Sequence, residues 1–322
     1  MSFPKNSKIY VAGHLGLVGS SICRKLEKEG YSNVITKTHK DLDLENYEET
    51  RNFIYDQKPQ VIFIAAAKVG GIQANKNYPV DFLMSNLAIE ANIIKSANEA
   101  SVKRLIFLGS SCIYPRNAPQ PIKEESLLSS KLESTNRAYA LAKIAGIEMC
   151  WAYNRQYGTR YLAVMPSNLY GQNDNYDLEN SHVLPALIRK IHEAKYTNKD
   201  NVTLWGSGSP KREFLYVDDL ADALVFLMNM DKNHYNKLVD PIKCPLINVG
   251  SGSDISIANL ANEIKKIIDY EGFFVYDKSR PDGTLRKLMD SSKINKLGWR
   301  ARTPLKSGLT NVYSDFLRRY KV

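Results

Sequence analysis

Short apolar runs alternate along the first half of the chain with longer stretches whose apolar residues recur at helical spacing. The runs are Lys8–Ala12, Asn33–Lys37, Gln60–Ala65, Leu105–Leu108 and Tyr161–Met165; Gln60–Ala65 has the composition of a strand buried on both faces. Between them, Ser20–Gly30, Asp81–Ser101 and Tyr139–Tyr157 read as helices, the last two long and amphipathic. Strand and helix in alternation predict an α/β fold, a parallel sheet wound on both faces, with ligands at the carboxyl ends of its strands. After Pro166-Ser-Asn-Leu-Tyr-Gly171 the pattern changes, and glycine, proline and charge become frequent. The expected division is a cofactor domain over 1–168, rejoined at about 213–250, and a smaller α/β substrate domain over 169–212 and 251–322.

Composition narrows the function. A chain of 322 residues that is 43% hydrophobic can fill a full core. Its net charge of +10 is scattered, nowhere denser than Lys211-Arg212 or Arg318-Arg319 with Lys321, which argues against a nucleic-acid surface and favours small anionic ligands. Cys23, Cys112, Cys150 and Cys244 form no C-x-x-C pair and have no matching histidines, so a reducing, cytoplasmic compartment without structural zinc is expected. No apolar run approaches the ~20 residues of a membrane helix.

The first strand leads into Gly13-His-Leu-Gly16-Leu-Val-Gly19 and then a helix, an order that sets a helix N-terminus where a pyrophosphate can bind. Gly13 permits the tight turn, Gly16 lets backbone approach phosphate, and Gly19 lets helix pack on strand. The second strand ends at Lys37, His39 and Lys40, where an adenine ribose would lie. Basic residues there suit NADP, although solvated charge at a strand end is an equally ordinary reading of any one of them. Ala65, Ala66 and Ala67 are small enough for a ribose or flat ring to approach their backbone.

Candidate chemistry centres on Leu105 to Lys143. Tyr139 and Lys143 are four residues apart and share one helix face, so the ammonium can lower a phenol pKa that is otherwise ~10. Ser110, just past the preceding strand, can hold the same substrate oxygen. A Tyr-x-x-x-Lys pair alone is more often plain helix surface.

The second half adds three marks. Ser181 is placed to cap a helix over Val183–Glu193, leaving His182 at the cleft. Trp205 and Arg212, on a strand and loop, can present an aromatic plane and a guanidinium to an anion; a half-buried core tryptophan and an Arg212–Glu213 ion pair are the rivals. Arg280-Pro-Asp-Gly-Thr-Leu-Arg286-Lys287 reads as a basic turn.

Together, Ala65–Ile72, Gly109-Ser-Ser-Cys-Ile-Tyr-Pro115, Asn154-Arg-Gln-Tyr-Gly158, Met165–Gly171, Ser181-His182 and Arg280–Thr284 resemble the extended short-chain dehydrogenase/reductase family, within it the branch that epimerises and reduces GDP-4-keto-6-deoxy sugars. The resemblance covers nearly the whole chain. It implies a Rossmann-type sheet holding NADP(H), with Leu17, Val18, Pro166, Asn168, Leu169 and His182 joining the glycines, alanines, Tyr139 and Lys143 around the cofactor. It further implies Tyr139 as proton donor to C4, Lys143 on the nicotinamide ribose, and Ser110 on the keto oxygen. Cys112 and His182 would exchange protons at C3 and C5, as thiolate and imidazolium on opposite faces, where residues alone suggest an apolar filler and a capping contact. Asn168, Lys190, Trp205, Arg212 and Lys287 would surround the GDP-sugar. Leu15 stands where the family often carries a basic residue, so NADP preference rests on Lys37, His39 and Lys40. A homodimer through the two long helices is expected. Reduction of C4 alone, on a GDP-heptose or another GDP-sugar, is the alternative activity; a non-catalytic NADP(H) sensor would not need Ser110, Tyr139 and Lys143.

Overall fold

The computed structural model describes residues 2–178, 181–279 and 282–320. Strand β1 (Ile9–Ala12), helix α1 (Leu17–Lys28), β2 (Val34–Ile35), α2 (Tyr47–Gln57) and β3 (Val61–Ile64) open the fold, followed by α3 (Ile72–Asn77) and the long α4 (Pro79–Glu99). Next come β4 (Arg104–Leu108), α5 (Arg137–Tyr157), β5 (Tyr161–Pro166), β6 (Asn168–Tyr170) and α6 (Val183–Tyr196). The chain continues through β7 (Asn201–Trp205), β8 (Lys211–Tyr216), α7 (Val217–Asn229), α8 (Lys232–Leu238) and β9 (Leu246–Val249). It closes with β10 (Asp254–Ser256), α9 (Ile257–Ile268), β11 (Phe273–Asp277), β12 (Arg286–Lys287), α10 (Ser292–Lys296) and α11 (Leu305–Arg319).

Six strands form one parallel sheet in the order β2-β1-β3-β4-β5-β9. Every residue of β1, β3, β4, β5 and β9 is buried, which explains sequences that are apolar apart from Arg104 in β4 and Asn248 in β9: both faces are covered by helices. One core layer joins Ile22 and Leu26 of α1 and Leu220 and Leu224 of α7 to the sheet; the other joins Ile93 and Ile94 of α4 and Ile144 and Ile147 of α5. The fold is therefore Rossmann-like. The strand order reverses between β1 and β3, so the crevice at their carboxyl ends is the natural ligand site.

Asn154 pins α5 to β5. Its Nδ2 donates to the Tyr161 carbonyl at 2.8 Å, and its Oδ1 accepts the Tyr161 N–H at 2.9 Å. Gly158, at φ +67°, supplies the left-handed residue that ends α5. A second assembly pairs β8 with β6, β10 and β12, while β7 and β11 form a parallel pair. Helices α6, α9 and α11 enclose a separate core of Leu187, Ile191, Leu260, Ile264, Val312 and Phe316. After β8 the chain re-enters the large sheet's layers through α7 and β9.

Candidate active site

The glycine turn is a close-packed cradle. Gly13 takes φ +84°, and a Cβ there would stand 2.6 Å from the Ala66 nitrogen; at Gly19 it would stand 2.1 Å from the Gly13 carbonyl oxygen. Gly16 caps α1 without a side-chain hydrogen bond, and Leu17 and Val18 begin the helix, so its first N–H groups remain available to an anion. Ala65, Ala66 and Ala67 follow β3 against this turn. These features fit a dinucleotide pyrophosphate. Lys37, His39 and Lys40 lie exposed beyond β2, with His39 Nδ1 3.9 Å from an Asp43 carboxylate oxygen. Asp41 sits among them, its carboxyl held below its ordinary range by hydrogen bonds from Thr38 and by the nearby Lys37 and His14.

The catalytic candidates converge from three elements. Ser110 follows β4 and opens a short 3-10 turn, Ser111–Ile113, accepting the Cys112 N–H at 3.4 Å. Burial pushes the Cys112 thiol up, opposed by Lys287, the Ser110 hydroxyl and Lys143. Tyr139 and Lys143 project from α5, the Lys143 Nζ 5.9 Å from the Tyr139 ring centroid and 4.7 Å from that of Phe107. Phe82 of α4 meets the Tyr139 ring edge-on at 6.2 Å.

Here the structure corrects two expectations. The Tyr139 phenol is not lowered: its crowded surroundings, then Cys112 and Glu90, push it well above its ordinary value. Lys143 instead pairs with Glu90 of α4, Nζ to Oε1 2.8 Å, both side chains buried. Cys112 and His182 rest as thiol and neutral imidazole, the reverse of thiolate and imidazolium. His182 is exposed at the head of α6, yet the protein mass around it and then Lys287 lower its pKa. Lys287 thus influences both Cys112 and His182.

The remaining candidates gather on the second assembly. Trp205 is 56% exposed at the end of β7, which removes the core reading, and Lys190 Nζ lies 5.0 Å over its ring. Arg212 makes no pair with Glu213: they are consecutive on β8 and face opposite ways. Arg212 donates to the Lys211 carbonyl and lies near Asp282, whereas Glu213 is fully buried and accepts backbone N–H groups. Lys287 is in a strand rather than a turn, paired with Arg212 across β12 and β8. Asn168 Nδ2 donates to the Glu213 carbonyl at 2.8 Å; Leu169 pairs with Leu215, and Pro166 ends β5 beside Val249. Arg280 and Pro281 fall outside the described residues. Ser181 does not cap α6: His182 occupies the cap position without a side-chain bond, and Ser181 Oγ is buried without a partner.

The pattern that defines the NAD dependent epimerase/dehydratase family covers residues 9–238. The chain belongs to that family.

Among its members, the chain is 53% identical over 313 residues to "Putative GDP-L-fucose synthase 2" of Arabidopsis thaliana, covering 97% of this chain and 92% of that protein. In structure it is similar to a GDP-6-OMe-4-keto-L-xylo-heptose reductase from C. jejuni, with TM-score 0.94, 37% identity, and 99% and 100% of the two chains covered. A GDP-mannoheptose C4 reductase from Campylobacter jejuni with NADP bound superposes with TM-score 0.89 at 38% identity, covering 98% and 99%. The chain is therefore an enzyme of the short-chain dehydrogenase/reductase type, an oxidoreductase.

Three polar groups of this site escaped the sequence. Glu90 falls in the apolar stripe of α4, at the register of Phe82, Asn86, Ile93 and Ile94, so a charged residue at a core position was the available signal. His14 Nδ1 is buried in the glycine turn without a partner. Glu213 was hidden by the charge beside it.

Proposed function

We propose that this enzyme is an NADPH-dependent GDP-4-keto-6-deoxy-sugar 3,5-epimerase and 4-reductase of the GDP-L-fucose synthase type. The observation that carries the reading is the convergence of Ser110, Cys112, Tyr139 and Lys143 at the carboxyl ends of the sheet strands, linked through Lys287 to His182 and, on the facing assembly, Arg212. Relatives named as GDP-L-fucose synthases at 47% to 53% identity over almost their full lengths support the substrate class. NADP bound to a similar C4 reductase and to a similar GDP-L-fucose synthetase, with Lys37, His39 and Lys40 beyond β2, supports NADPH over NADH.

NADPH, when bound, supplies hydride to C4. The glycine cradle and the α1 N-terminus hold its pyrophosphate, and Lys143 its nicotinamide ribose; Leu17, Val18, Ala65 to Ala67, Pro166, Asn168, Leu169 and His182 line its site. Tyr139 gives its proton to the C4 oxygen, which Ser110 holds. A high phenol pKa keeps Tyr139 in the protonated form that this direction needs. The C4 ketone acidifies C3–H and C5–H. Neutral His182 is then competent to accept a proton and the Cys112 thiol to return one on the opposite face, giving inversion. Lys190, Arg212 and Lys287 match the diphosphate's charge, and Trp205 offers a stacking plane.

The chain divides, in this reading, into a cofactor lobe, 1–168 with a return near 213–250, and a substrate lobe. Exposed Val80 and Met84 on α4 and Leu141 and Tyr157 on α5 support a homodimer across those helices. Four free cysteines favour a reducing, cytoplasmic setting. A second reading, C4 reduction alone, is favoured by the buried, protonated Cys112 and by the similarity to the heptose reductase.

The reading predicts NADPH oxidation that depends on GDP-4-keto-6-deoxy-mannose and falls about 10²- to 10⁴-fold in Tyr139→Phe, with NADPH still bound. Full turnover by that variant would contradict it. Oxidation only with GDP-keto-heptoses would move the substrate assignment to the second reading.

A further inference from the structure

The Glu90–Lys143 pair is not explained by the fold. Neither Glu90 side chain nor Lys143 has more than 2% exposure, and Glu90 has none. Apart from the Lys143 ammonium at 2.8 Å, the Glu90 oxygens have no polar partner among the described residues. A lone buried ion pair is a weak source of stability, since taking two charges from water offsets their attraction. An apolar residue at this point of the α4 stripe would fill it as well. Yet α5 makes room for the carboxylate: a Cβ on Gly146 would stand 2.7 Å from Glu90 Oε2 and 2.4 Å from the Phe107 ring.

The missing explanation is Lys143. The Lys143 ammonium lies between the Phe107 and Tyr139 rings, and Glu90 is its counter-ion there: burial pushes the Glu90 carboxyl up, the Lys143 charge opposes that push, and the contact fixes where the ammonium sits. We propose that Glu90 is a positioning residue for catalysis: its carboxylate, buried on α4 and 2.8 Å from Lys143 Nζ, holds that lysine in place one helical turn from Tyr139. This rests on the oxidoreductase reading above and deepens it. Glu90 touches neither substrate nor cofactor; it acts through Lys143. The titratable groups facing the pair are Tyr139 and Cys150 from α5 and Cys112 from the turn after β4, with Lys287 acting on Cys112.

The sign follows from this surrounding. Without the Glu90 charge, the Tyr139 phenol loses a neighbour that raises it. The alkaline loss of activity therefore moves to lower pH. The test compares wild type, Glu90→Gln, Glu90→Asp and Tyr139→Phe by the pH profile of NADPH oxidation with GDP-4-keto-6-deoxy-mannose, by NADPH affinity from fluorescence titration across the same pH range, and by thermal unfolding. Glu90→Gln should move the alkaline limb acid-ward, weaken NADPH binding, and lower kcat about ten- to hundredfold with the sugar KM held. Glu90→Asp, charged but shorter, should fall between, and it carries the test should the glutamine variant not fold. A limb and NADPH affinity unmoved in these variants, with only the unfolding temperature changed, would overturn the positioning role. If Tyr139→Phe itself keeps full turnover, the oxidoreductase assignment of Tyr139 fails instead.

Discussion

Glu213→Gln should weaken the substrate side of the cleft while sparing the cofactor side. Glu213 Oε1 accepts the Gly252 N–H at 2.7 Å, and Oε2 accepts the Met289 N–H at 2.9 Å. The carboxylate thus ties β8 to the loop before β10 and to the residues that follow Lys287 on β12. A hydrogen bond to a charged acceptor contributes ~1.5–3 kcal/mol, and an orphaned buried donor costs ~1–3 kcal/mol. Glutamine has one acceptor oxygen, so its NH₂ would face one of the two backbone donors. Part of that loss is offset because burial pushes the Glu213 carboxyl up, a cost that the neutral amide avoids. The net expectation is ~2–4 kcal/mol, or roughly 3–6 °C in Tm for a chain of 322 residues. Thermal unfolding reads the first effect; steady-state kinetics should show a raised KM for the GDP-sugar with the NADPH KM unchanged, because the glycine cradle lies on the other sheet. An unchanged Tm together with an unchanged sugar KM would refute the claim that Glu213 holds Lys287 in place.

Gly19→Ala should cost at least about tenfold in NADPH affinity, because its Cβ would stand 2.1 Å from the Gly13 carbonyl oxygen and backbone must move to admit it; a fluorescence titration with wild-type affinity would contradict this. Asp174 is buried, with Oδ2 unpartnered, and burial raises its carboxyl to about 7. The folded state therefore binds this proton more tightly than the unfolded chain, and stability falls as pH rises from about 4 to about 7 and then levels. Asp174→Asn should accordingly gain on wild type across that window, by ~2–4 kcal/mol above it, in unfolding followed at about pH 5 and about pH 8; an equal difference at both would refute the assignment.

Five of the six strands of the large sheet were legible because its central strands are buried on both faces and are almost wholly apolar; β9, which joins after the second assembly, was not read. The glycine turn and the Tyr139/Lys143 register were legible because they depend on local spacing. What could not be read were pairings between distant segments. Glu90 and Lys143 meet only once α4 packs on α5, so the neighbour that matters most to Lys143 was invisible beside the obvious Tyr139. Arg212 and Glu213 looked like partners in the sequence, but a strand turns successive side chains to opposite faces. Lys287 read as turn because its β12 strand is two residues long and exists through its alignment on β8. The directions in which the pKa values of Cys112, Tyr139 and His182 move follow from the protein packed around them, which spacing does not reveal.

The central claim is that one site both epimerises and reduces. The direct measurement is turnover of GDP-4-keto-6-deoxy-mannose with NADPH in deuterated buffer, with deuterium located in the product by NMR. Label at C3 and at C5, with NADPH consumed, is the result this account predicts. NADPH consumed with neither carbon labelled would contradict it and leave a C4 reductase.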